Sequence, residues 1–112
     1  MREINVLLIG DVIGQPGSRA LFSLLPELRK THHADAVVVN GENAADGFGL
    51  TPQLIQQLFA SGANVITTGN HIWHNRDIWP HLDDNPNLLR PANYPSGAPG
   101  KGLGVIEVKG VK

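Results

Sequence analysis

At 112 residues, with 41% apolar and 17% charged side chains, the chain has the size and composition of one globular domain, residues 1–112, and not of a disordered tail. Lys+Arg 9 against Asp+Glu 10 leaves a formal net charge of -1, which gives no electrostatic case for nucleic acid or an anionic membrane. With Cys 0, disulfide scaffolds, zinc ribbons and thiol catalysis are excluded; the apolar runs are too short for a bilayer span, no signal peptide is read, and a cytoplasmic location is expected.

Three short β-branched runs read as buried strands: Ile4 to Ile9, Ala36 to Asn40 and Asn64 to Thr68. None alternates with polar residues, the pattern of a parallel sheet covered on both faces. Between the first two, Leu21, Leu24, Leu25 and Leu28 fall at i, i+3, i+4 and i+7, an apolar helical stripe. Pro16 suits the start of that helix, whereas Pro26 inside it predicts a bend. The next helix opens on Thr51 as N-cap and Pro52 at the first position. It buries Leu54, Ile55, Leu58 and Phe59, and stops at Gly62. A third helix is expected from about Asn75 to just before Pro86, then a long loop from Asn85 to Gly102 and a further strand over Gly104 to Val108. The alternation of strand and helix predicts an α/β layered sandwich with a mainly parallel sheet flanked by helices.

The polar residues are concentrated at the carboxyl ends of these strands. The first ends in Gly10-Asp11, the second in Asn40-Gly41-Glu42-Asn43 and the third in Thr68-Gly69-Asn70-His71. Open α/β sheets bind ligands at that end. Carboxylate, amide and imidazole together suit Mn, Fe or Zn, and a carboxylate can bridge two ions in a phosphoester site. Taken singly, each residue has a plainer reading: Asp11 as a turn former, Glu42-Asn43 as a loop network, Asn70 as a helix cap, His71 as a loop histidine. Three such groups at three successive strand ends favour a common site. His74, His32, His33 and His81 read as structural or solvated, the middle two complementing a helix C-terminus. The glycines after the first strand do not form G-x-G-x-x-G, and no Gly-Lys-Ser/Thr follows, which argues against a dinucleotide-binding domain.

Gly10-Asp11-Val12-Ile13-Gly14, Asn40-Gly41-Glu42-Asn43-Ala44, Gly69-Asn70-His71 and Arg90-Pro91-Ala92-Asn93-Tyr94-Pro95 resemble, in order and spacing, the bacterial YmdB-like metallophosphoesterases of the calcineurin-like superfamily. The resemblance implies the N-terminal part of an α/β/β/α metallophosphoesterase domain and hydrolysis of phosphodiesters such as cyclic nucleotides at a dinuclear centre of Fe, Mn or Zn. By motif, Asp11 and Asn70 would each ligate an ion, Glu42 would bridge both, Asn43 would ligate or orient nearby, and His71 would act as general acid or stabilise the transition state. The Arg90 to Pro95 loop would lie over the site. Asp11-Val12-Ile13 stands where the wider superfamily has Asp-x-His, a departure typical of this branch.

The resemblance also implies that further histidines come from a C-terminal half. The expected partners are therefore a small phosphodiester and either a second copy of the chain or the missing half. A non-catalytic truncated or split module that pairs with another polypeptide is the alternative.

Overall fold

A computed structural model describes residues 3–112. Its elements are β1 (Val6–Ile9), α1 (Gly14–Thr31), β2 (Ala36–Asn40), α2 (Pro52–Ser61), β3 (Val65–Thr67), α3 (Trp79–Asp84) and β4 (Leu88–Leu89). Two 3-10 turns, Asn70–Trp73 and Arg76–Ile78, link β3 to α3. The sheet order is β1-β2-β3-β4, and every pairing is parallel. This is the α/β architecture expected from the sequence.

The helices follow from local chemistry. The Thr51 hydroxyl accepts the Leu54 N–H at 3.2 Å, Pro52 occupies the first turn, and Gly62 ends α2 at φ 123. That φ suits a residue without Cβ. α1 runs unbroken through Pro26. Its last turn carries Arg29 and Lys30, which favour the negative end of the helix dipole. Arg29 also donates to the Gly62 carbonyl at 2.8 Å, tying the carboxyl ends of the two helices together. Leu21 and Leu25 are buried, while Leu24, at the flank of the stripe, points outward.

Crossovers of one hand in a sheet ordered 1-2-3-4 place every helix on the same side. The core accordingly lies between one sheet face, carrying Val37, Val39, Ile66 and Leu88, and the helical residues Leu21, Leu25, Ile55, Leu58 and Leu82. Truncating one of the fully buried leucines to alanine costs about 2–5 kcal/mol in such cores. Among the described residues no helix lies on the opposite sheet face. Val6 and Leu8, paired with Ala36 and Val38, lie on it, and Leu8 is 72% exposed. The expectation of a sheet covered on both faces is thus corrected: apolar residues line both faces, but the helices of this chain cover one. The smallest dimension, 19 Å, is that of two layers.

Three further boundaries differ from the sequence reading. The helix expected from Asn75 is split into the 3-10 turn Arg76–Ile78, capped by Asn75 accepting the Asp77 N–H at 3.1 Å, and α3. The segment read as loop from Asn85 contains β4. Gly104 to Val108 forms no strand; Val108 makes only an isolated antiparallel bridge with Val111. This tail instead crosses the amino end of the sheet, where Lys109 pairs with Asp35 at 3.0 Å. The Asn5 backbone N–H donates to Asp35 at 2.8 Å. That hydrogen bond first, and Lys109 next, hold the Asp35 carboxyl below its ordinary range.

Candidate metal centre

The carboxyl ends of β1, β2 and β3 meet because two backbone bonds lock their loops. Val12 N–H reaches the Asn40 carbonyl at 3.3 Å, and Gly41 N–H reaches that of Thr67 at 2.9 Å. Gly14, at φ 62, then turns its N–H to the Asn43 carbonyl at 3.0 Å. Asp11, Glu42 and Asn43 are thereby carried to one place, with His71 arriving from the 3-10 turn after β3.

Asn43 is the hub. Its Nδ2 lies 2.9 Å from both Asp11 oxygens, and its Oδ1 contacts His71 Nδ1. An ionised carboxylate only accepts, so the amide nitrogen faces Asp11 and the amide oxygen faces the ring. That oxygen accepts the Nδ1 proton, which leaves Nε2 as the outward atom of the imidazole. Glu42 Oε2 lies 4.0 Å from His71 Nδ1. The Glu42 carboxylate also sits against Gly69, in the space a Cβ there would fill.

Four of the five residues singled out in the sequence, Asp11, Glu42, Asn43 and His71, are therefore joined by side-chain contacts. Asn70 precedes His71 in the same turn and is exposed, outside this network. Among the described residues no three His, Cys, Asp or Glu side chains gather closely enough to hold an ion by themselves. Two carboxylates, two amides and an imidazole at one sheet end match the hard and borderline donors of a transition-metal shell. The Gly69 cradle, which leaves room for the Glu42 carboxylate, fits the same role. The residues thus suit part of such a shell.

The Arg90 to Pro95 segment has a structural task. Arg90 is buried, and its guanidinium donates to the carbonyls of Pro91 at 3.1 Å and Pro95 at 3.4 Å, which folds the loop on itself. Tyr94 packs edge-on against Trp73 at 5.1 Å. Sequence reasoning passed over Phe48, whose ring lies 5.6 Å from His71 and 5.0 Å from His74. The available signal was a phenylalanine between two glycines in a polar loop.

Residues 7–112 match the model of the YmdB-like protein family. The chain belongs to the YmdB-like family. It is 44% identical over 107 residues to the 2',3'-cyclic-nucleotide 2'-phosphodiesterase of Bacillus subtilis (strain 168), covering 96% of this chain and 40% of that protein. A hypothetical protein from Thermus thermophilus superposes with a TM-score of 0.87 at 42% identity, over 94% of this chain and 40% of that one. A novel phosphatase from Mycoplasma pneumoniae superposes at 0.84 with 32% identity, over 91% and 38%. The chain therefore spans about 40% of the length of these relatives. Among the described residues no helix is long and apolar enough to cross a membrane.

Proposed function

We propose that this YmdB-like chain carries the amino-terminal share of the catalytic centre of a metal-dependent phosphodiesterase acting on cyclic nucleotides. The observation that carries the reading is the Asn43 amide, which joins Asp11 from the end of β1 to His71 beyond β3, beside Glu42. Support for the substrate comes from the name of the Bacillus subtilis relative.

In this reading Asp11, Glu42 and Asn70 would hold two divalent ions, Fe, Mn or Zn, with Glu42 as the ligand common to both and Asn43 ligating or orienting nearby. Bound ions would polarise the phosphoryl oxygens and lower the pKa of a coordinated water. The remaining ligands come from a second copy of the chain or from a C-terminal segment of the length seen in the relatives. Asn43 keeps His71 in the tautomer whose Nε2 faces outward. When protonated, that ring can hand the Nε2 proton to the departing ester oxygen. The Asn43 bond orients the ring and resists its rotation, as outer-shell partners do.

Elemental analysis of protein purified with manganese, together with hydrolysis of a 2',3'-cyclic nucleotide, tests the proposal. Weak metal binding and little turnover are expected of residues 1–112 alone; two ions per chain and turnover are expected once the remaining ligands are supplied, and both are lost in Glu42→Ala. Full metal content and turnover in Glu42→Ala would remove Glu42 from the site.

The open face of Val6 and Leu8 favours a second reading, a non-catalytic module that pairs with another polypeptide. A compact, active monomer by light scattering would dismiss it.

A further inference from the structure

We propose that Phe48 is the stacking platform for the base of a nucleotide held at this centre, an inference that rests on the phosphodiesterase reading. Phe48 is 53% exposed. An exposed phenylalanine on a mobile loop would mean little, but this one stands on a fixed turn. Gly47 N–H bonds the Asn43 carbonyl, Phe48 N–H that of Ala45, and Ala45 N–H that of Gly49, each at 2.9 Å. Gly47 at φ 86 and Gly49 at φ 77 take conformations in which a side chain would be strained. At Gly49 a Cβ would also lie 2.7 Å from the His71 carbonyl oxygen, so the turn is docked on the backbone of His71 itself.

The ring is aimed accordingly. It stacks on His74 at 5.0 Å and 29°, and meets His71 at 5.6 Å and 59°. His71 contacts Asn43, which holds Asp11. An aromatic wall therefore begins beside the polar cluster and continues outward along Phe48 and His74. A phosphoryl group seated among the polar side chains leaves its nucleoside beside that wall. A ribose 2',3'-cyclic phosphate carries its base on the neighbouring ring carbon, within reach of an adjacent flat surface. Base–aromatic stacking tolerates any base, because every base has a π-face. The wall thus suits nucleotides as a class and does not select one base.

The test uses the full-length, manganese-loaded protein and two substrates, 2',3'-cyclic AMP and its base-free counterpart, methyl ribofuranoside 2',3'-cyclic phosphate. For Phe48→Ala, the preference in kcat/KM for the nucleotide over the base-free substrate should fall about tenfold, mostly through KM, a change in the range of one stacked base. Phe48→Trp should keep the preference, and Phe48→Leu, apolar but not aromatic, should lose it. Dissociation constants for adenosine 3'-monophosphate against ribose 3-phosphate should move in parallel. An equal loss on both substrates would mean that Phe48 positions His71, and an unchanged preference would mean that it touches no base; either result overturns the proposal alone. A wild-type protein that hydrolyses neither substrate overturns the phosphodiesterase reading, and this inference with it.

Discussion

The carboxylate of Glu42 fills the space that a side chain at position 69 would need, so it can lie against the end of β3 only because residue 69 is glycine. Its backbone, at φ -140 and ψ -157, is extended and open to any residue, and the requirement is therefore one of space alone. Gly69→Ala should leave the fold intact and push the Glu42 carboxylate out of place. A fall in metal affinity of about 10–100-fold is expected, the size seen when a ligand's support is lost. Metal titration followed by calorimetry, with circular dichroism as the fold control, measures it.

Asn43 serves two partners with one amide, so its variants separate their roles. Asn43→Asp replaces the donor facing Asp11 by a second carboxylate and sets like charges together, while Asn43→Ala frees both neighbours and removes an amide oxygen from the proposed shell. Asn43→Asp should therefore bind metal-free substrate analogues less well than Asn43→Ala, and both should lose about 10–100-fold in turnover. His71→Ala should lower turnover with metal largely retained. Loss of the metal in that variant would move His71 from proton transfer to ligation.

Asp35 makes stability depend on acid. Its carboxyl is held below the ordinary value, first by the Asn5 N–H and then by Lys109. The stabilisation is complete above the unfolded-state value and disappears as pH falls through the folded one. Asp35→Asn should melt below wild type at neutral pH, and the gap should close as the solution is acidified through the carboxylate range. Melting temperatures of the two proteins across that range give the answer.

Thr51 caps α2 through a single hydroxyl at 3.2 Å from the Leu54 nitrogen. Thr51→Ala should lower stability by about 1 kcal/mol, with Thr51→Ser recovering most of it. Urea unfolding midpoints at constant m-value decide the matter.

Much of this architecture is legible in the residues themselves. β-branched runs, the Thr51-Pro52 start and the Gly62 stop are local signals, and they place β1, β2, β3 and α2 within a few residues of where they form. Gly-Asp, Gly-Glu-Asn and Gly-Asn-His mark strand ends because chemistry and chain reversal fall together there. β4 is too short to show periodicity, and its pairing depends on β3 beside it. The Val105-Ile106 run has strand composition, but the Asp35–Lys109 pair draws the tail past the sheet's amino end. The direction of the Asn43 amide depends on Asp11 and His71 together, and no local pattern encodes it.

The two residue pairs that assemble the cluster, Asp11 with Asn43 and Asn43 with His71, lie 32 and 28 positions apart. Neither can form within a single strand-helix unit. A chain with both long helices in place but the sheet unpaired holds Asp11, Asn43 and His71 on three separate segments. Non-local pairing of this kind is the slow part of folding, because loop closure precedes any reward from contact. The donor cluster therefore depends on non-local pairing, and its presence reports that the ends of β1, β2 and β3 have come together.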